Sequence, residues 1–296
     1  MKVCPTICIA IVLMFLSGCR DNKQSVLISA QELLINKSQY KIIDISTEED
    51  FQKQSIVGAY HLWRPDITEE SAVYGGLMAS EEKMEDLLSK LGILPEDQLV
   101  VYDHKGGCDA ARLWWILTYY GHDNVRLLDG GMSDWKGAFN TKSQYSEKQK
   151  HSNYQFSQKE NTVFRKVELD EVIAALNDPK TVLIDTRSTD EFEGLVQKDG
   201  AFKKGRIPGS IHIDWASNID YHGNQKILSS EKLLNMYEAK GVTKDKNVIV
   251  YCHSGVRSAH TAVVLSYILG YKNVGNYDGS WIEWSYHKEL PVALGK

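Results

Sequence analysis

Positive charge is in the minority in this chain, with 34 lysines and arginines against 39 acidic residues and a net charge of −5. That sign opposes the phosphate electrostatics that dominate nucleic-acid binding, so no nucleic-acid partner is expected. Proline (6) and cysteine (5) are also scarce, and the 22 glycines follow no period, which excludes a collagen-like chain. The apolar stretch from Ile7 to Leu16 has ten residues, short of the roughly 20 that cross a bilayer. Metal-ligand spacing is absent, and no cofactor is expected. What is present is 43% hydrophobic and 25% charged residues over 296 positions. This is a folded chain, not a disordered one, and it is longer than one ordinary core needs, so two domains are expected.

Lys2 followed by the apolar run reads as a secretory signal core. It ends in Leu16, Ser17, Gly18 and Cys19, and this string resembles the lipobox of bacterial lipoproteins. The resemblance implies removal of residues 1–18 and lipidation of Cys19. Acyl chains there would hold a soluble body at a membrane, in the cell envelope, on a periplasmic or extracellular face. Cys4 and Cys8 leave with the signal, so Cys108 and Cys252 remain, too few for a disulfide framework. A free cysteine retained in an oxidising compartment implies chemistry or deep burial.

The chain repeats itself. Slid by 149 residues, Gln98 to Trp135 overlays Asn247 to Trp284 without a gap, and eleven pairs are identical, among them Tyr102 with Tyr251, His104 with His253, Gly106 with Gly255 and Trp135 with Trp284. Upstream the register changes: Ile43 and Asp44 match Ile184 and Asp185, while Ile56, Gly58 and His61 match Ile207, Gly209 and His212. The second copy has gained residues around Glu193 to Gly205. Short apolar runs (Ile42 to Ile45, Leu99 to Tyr102, Val182 to Ile184, Val248 to Tyr251) alternate with amphipathic stretches such as Glu81 to Leu91 and Glu231 to Ala239. That alternation predicts α/β units with buried parallel strands joined by helices. The predicted layout is a signal over 1–18, domains over 25–139 and 162–296, and a polar linker over 140–161. An ordered strap over the first domain is the alternative for the linker.

After the predicted strand ending at Tyr251 come Cys252 to Ser258, CHSGVRS, and then a helical pattern from Ala259 to Leu269 stopped by Gly270. Strand, tight loop and helix make an anion cradle. Gly255 permits the sharp turn, successive backbone N–H groups can face inward, and the helix start adds positive potential. A thiol placed there ionises more readily than a free one.

These residues carry a resemblance to the rhodanese family, specifically to its tandem two-domain sulfurtransferases. The motifs are IIDIS at 42–46, VYD at 101–103, AARLWW at 110–115, GHDNVRLLDGG at 121–131, IDTR at 184–187, IPGSIHIDW at 207–215, YCHSGVRSAH at 251–260 and YDGSWIEW at 277–284. The resemblance implies two tandem rhodanese-like domains, each a central parallel sheet flanked by helices, with an inactive first copy and a catalytic second copy. Asp103 stands where the second copy has Cys252, consistent with that division. It further implies that Cys252 takes a sulfane sulfur from a small anionic donor and passes it from a persulfide to a thiol or cyanide. Arg257 would hold the donor, with Arg187, His253, Ser254, Gly255 and Val256 around it.

Cys252 to Arg257 is CxxxxR, one residue shorter than the CxxxxxR of phosphatases with this fold, so sulfur fits the loop better than a phosphoryl group. Relatives that use 3-mercaptopyruvate usually end this loop in GVT, and GVR here favours thiosulfate on charge complementarity. A non-catalytic sulfur-binding or sensing module is the remaining alternative. Arg187 could instead pair with Asp185 or Glu191. Arg206 departs from the histidine usual in the family, and with Lys203 and Lys204 it forms either a positive rim or a solvated face. Cys108 aligns with Arg257 and reads as an incidental thiol. Trp114, Trp115, Trp135, Trp281 and Trp284 read as packing, and His61 and His212 as architecture.

Overall fold

The computed structural model describes residues 25–69, 73–138, 150–157 and 164–295; the expected signal and Cys19 lie outside these residues. The first copy contains β1 (Leu27–Ile28), α1 (Ala30–Ile35), β2 (Tyr40–Ile45), α2 (Glu48–Lys53), β3 (Tyr60–Leu62), α3 (Glu81–Lys90), β4 (Gln98–Tyr102), α4 (Cys108–Tyr119), β5 (Val125–Leu128) and α5 (Gly131–Ala138). The second contains β6 (Phe164–Val167), α6 (Leu169–Ala175), β7 (Thr181–Asp185), α7 (Thr189–Glu193), β8 (Ile211–His212), α8 (Ser230–Glu238), β9 (Asn247–Tyr251), α9 (Val256–Val263), β10 (Val274–Tyr277) and α10 (Ser280–Tyr286). Hydrogen-bonded neighbours run β1-β5-β4-β2-β3 in one sheet and β6-β10-β9-β7-β8 in the other. The pairings are parallel, and the two orders are the same order.

The apolar runs form strands because both faces of each sheet are covered. In β9, Val248 and Val250 face one core cluster while Ile249 and Tyr251 face another; in β4, Leu99 and Val101 divide from Val100 and Tyr102 in the same way. The largest cluster runs through both copies, because α4 lies against α9 and joins Trp114 and Trp115 to Ala259 and Val263. Trp114 meets Tyr267 edge-on across this boundary at 4.9 Å. Trp135, Trp281 and Trp284 are likewise buried.

A buried charged pair crosses that apolar boundary. Arg112 of α4 is buried and donates to Asp278 Oδ1 at 2.5 Å and to the carbonyl of Gly76 at 3.1 Å. Asp278 also accepts the N–H of Met78 at 3.1 Å. The described part of the linker, residues 150–157, straps across the first copy: Tyr154 and Phe156 are buried, and Tyr154 Oη bonds His122 Nδ1 at 2.8 Å.

The helix after the cysteine loop starts at Val256, three residues before the expected Ala259, because Gly255 enters the left-handed region (φ 72°) and completes the turn at once. It opens into a wider π turn over Val264–Ile268 before Gly270. Among the described residues, no helix is long and apolar enough to cross a membrane.

Candidate active site

The loop that follows β9 is fixed from behind. The Gly255 carbonyl accepts from Asn276 Nδ2 at 3.1 Å and from Arg112 Nη1 at 3.4 Å. A Cβ at Gly255 would lie 2.7 Å from Arg112 Nη1 and 2.9 Å from the Asp278 carbonyl, so conformation and space both require glycine. The N–H groups of Cys252 and Gly255 turn away from the loop centre and donate to Ser280 Oγ at 3.2 and 3.0 Å.

Cys252 is only 1% exposed. Burial pushes its thiol up, yet the net shift is downward. The Arg257 charge, the Ser258 hydroxyl and the N–H groups of Ser258 and Ser254 together outweigh desolvation. The Ser258 hydroxyl is buried and has no oxygen or nitrogen partner, which leaves it available to the thiolate. Cys108 shows the opposite balance. It is buried among Val256, Trp215 and Ile219, and desolvation, with Asp109 and Asp103 nearby, raises its thiol well above the ordinary value.

Arg257 is held by a forked ion pair, Nη1 to Glu191 Oε2 at 2.7 Å and Nη2 to Glu191 Oε1 at 2.9 Å. Burial acts to raise the Glu191 carboxyl, but the Arg257 contact wins and holds it at about 2. Ser188 in turn shares a capping box with Glu191 at the start of α7. His253 is neutral: burial lowers it to about 4, and Nε2 donates to the Asp199 carbonyl at 3.0 Å, tying the loop to the segment the second copy gained. Ser254 packs against Gly76 of the first copy, where an added Cβ would lie 2.6 Å from the serine Cβ.

The other candidate residues stand behind this centre. Arg187 is buried, with Nη2 on Asp185 Oδ2 at 2.6 Å and on the Gly205 carbonyl at 2.7 Å, and its guanidinium lies 4.7 Å from the Trp281 ring centre. Asp185 also accepts the Tyr251 hydroxyl at 2.7 Å. Arg206 donates to the carbonyls of Gly295 (2.5 Å) and Phe192 (3.2 Å), and Lys203 to those of His287 and Leu290, so both fasten the C-terminal segment. Lys204 Nζ donates to the Leu195 carbonyl. His61 and His212 make the same contact in each copy, to the carbonyls of Ser46 and Arg187 at 2.8 Å.

In the first copy the equivalent loop contains its own anion. The Asp103 carboxylate accepts four backbone N–H groups: Lys105 and Gly107 on Oδ1, both at 2.8 Å, and Asp109 and Ala110 on Oδ2 at 2.9 and 3.1 Å. In the repeat register these four are Ser254, Val256, Ser258 and Ala259. The ligand atoms of Asp103, Cys108 and Asp109 lie within 4.8 Å of one another. Both carboxylates are already committed, however, Asp103 to these amides and Asp109 to Arg64 at 2.5 Å, so the group does not fit a metal.

Fold and site thus define an α/β protein with an ionisable cysteine in an amide-lined anion loop. The family profile of the Rhodanese-like domain matches residues 29–138 and 168–287. The chain belongs to the rhodanese-like family. It is 34% identical over 282 residues to "Putative thiosulfate sulfurtransferase 1" of Mycobacterium bovis, covering 91% of this chain and 98% of that protein. It is 35% identical over 225 residues to "Sulfur carrier protein TtuD" of Thermus thermophilus, covering 73% of this chain and 78% of that one. Among solved structures, YnjE superposes with a TM-score of 0.80 at 24% identity, covering 92% of this chain and 68% of that one, and wild-type EanB with 0.80 at 21%, covering 92% and 69%. At those identities the likeness is one of fold.

The loop is visible in the sequence and its supports are not: Asp103 reads there only as a lost nucleophile, Arg112 only as part of a motif, and Ser280 only as a letter in YDGSWIEW. The signal for Ser280 was in the repeat, where glycine stands at the equivalent position 131.

Proposed function

We propose that this protein is a thiosulfate sulfurtransferase that works through a Cys252 persulfide. The observation that carries this reading is the Asp103 carboxylate in its ring of four N–H groups. A carboxylate oxygen sits one bond beyond Cγ, as the outer sulfur of a persulfide sits one bond beyond Sγ. The same ring around Cys252 therefore suits a sulfur anion at that place.

The Cys252 thiolate attacks the outer sulfur of thiosulfate. A new S–S bond forms, the donor's S–S bond breaks with its electron pair, and sulfite departs without net proton transfer. A thiolate acceptor or cyanide then attacks the outer sulfur, and the Cys252 thiolate is released. Arg257 keeps its charge beside the thiol because Glu191 fixes its orientation, leaving Nε–H and the outer N–H groups for the donor's oxygens. His253, neutral and tied to Asp199, shapes the loop and contributes no charge.

The test is sequential. With thiosulfate the purified protein is expected to release sulfite and gain one sulfur on Cys252 by intact mass, and with cyanide to release thiocyanate. A gain in mass without turnover would favour the binding module, and 3-mercaptopyruvate turning over faster than thiosulfate would overturn the donor. We further propose that Cys19 carries lipid and anchors the body in the cell envelope. Palmitate labelling lost in Cys19→Ser is the expected result, and undiminished labelling would contradict it.

A further inference from the structure

Ser280 is out of place by backbone rules. It opens α10 at φ 52°, in the left-handed region that favours glycine, and it is fully buried. Its counterpart Gly131 opens α5 at the same φ of 52°. The next residue makes the same bond in both copies: Met132 N–H to the Asp103 carbonyl at 2.9 Å, Trp281 N–H to the Cys252 carbonyl at 3.0 Å. At this position the first copy has glycine and the second has serine, the residue less suited to the conformation.

The hydroxyl accounts for it. Ser280 Oγ donates to the Tyr277 carbonyl at 2.7 Å, which leaves its lone pairs to accept the N–H groups of Cys252 (3.2 Å) and Gly255 (3.0 Å). One atom thereby pins both ends of the turn. In the first copy the Asp103 carboxylate organises its loop from within, and a Cβ on Gly131 would come within 2.6 Å of the Asp103 carbonyl oxygen. A loop filled permanently by its own carboxylate needs no outside clamp. A loop whose sulfur arrives and leaves does.

We infer that Ser280 is a positioning residue that clamps the Cys252 loop from outside and keeps its remaining N–H groups aimed at the sulfur through turnover. The reading rests on the proposed sulfur transfer, but its first readout does not: thiolate ultraviolet absorbance against pH, taken as the difference from Cys252→Ser in the same background, needs no donor.

Ser280→Gly and Ser280→Ala both remove the clamp, and only the glycine also relieves the backbone. Both are expected to move the thiolate titration to higher pH and to lower kcat/KM for sulfur transfer by about tenfold or more, the scale of a lost preorganising contact. Ser280→Gly is expected to melt higher than Ser280→Ala while sharing its activity loss. Activity that follows melting temperature across the two variants, or a Ser280→Gly protein with the parental titration and rate, would overturn the inference. A parent protein that titrates as expected but transfers no sulfur would contradict the proposed function and leave the clamp standing.

Discussion

Two loops of the same construction, one closed on Asp103 and one on Cys252, have opposite uses. Each follows the fourth strand of its repeat (β4 and β9), turns through a left-handed glycine (Gly106 and Gly255), and leads into the helix at the domain boundary. In the first, four N–H groups are satisfied by a carboxylate that never leaves. In the second, the equivalent position holds a thiol whose pKa burial alone would raise and that Arg257, Ser258 and the loop amides together lower. The lesson is that the anion cradle is the inherited part, and that activity depends on filling it with an atom that can exchange its substituent.

The sharpest way to break this comparison is to remove the exchangeable atom. Cys252→Ser is expected to abolish sulfite release, whereas Cys108→Ser, outside the cradle, retains the parental rate; equal losses would refute the assignment. Arg112→Met comes next, because it leaves Asp278 buried without its partner across the domain boundary. It is expected to cost about 3 to 5 kcal/mol in urea unfolding. Asp103→Ala strips the acceptor from four inward N–H groups and is expected to cost about 3 kcal/mol by the same measurement, with sulfur transfer retained at temperatures where the protein stays folded.

A further effect is confined to acid pH. Glu191 ordinarily titrates at 4.5 and is held at about 2 in the folded protein. Its folded value is depressed, so the stability it contributes is complete above about 4.5 and is lost as pH falls through about 2. Glu191→Gln should flatten that part of the acid unfolding profile. An unchanged profile would show that the ion pair with Arg257 carries no such stability.

Much of this molecule was legible in the sequence because repetition reports topology directly. The ungapped match of Gln98–Trp135 to Asn247–Trp284 implied two copies of one sheet, and the continuous apolar runs implied strands covered on both faces. The cysteine loop was legible because glycine and helix-start positions are local properties. What was not legible is the choice of partners among charged groups. Arg187 has Asp185 two residues away and takes it, whereas Arg257 reaches Glu191 across 66 positions and Arg112 reaches Asp278 across 166. Such pairings depend on how α7 and the two domains pack, which no local pattern encodes. The clamp at Ser280 was hidden for another reason: a serine at a helix start looks ordinary until its φ is known.

The loop around Cys252 lowers the pKa of a buried thiol, whereas burial raises that of Cys108. The most direct test is the pH titration of thiolate absorbance in the parent, in Cys252→Ser and in Cys108→Ser. The parent-minus-Cys252→Ser difference is expected to show a thiolate formed below the ordinary cysteine range, and Cys108→Ser is expected to leave this curve unchanged. A Cys252 thiol titrating at or above the ordinary value, or a low-pH thiolate that disappears with Cys108 instead, would contradict it.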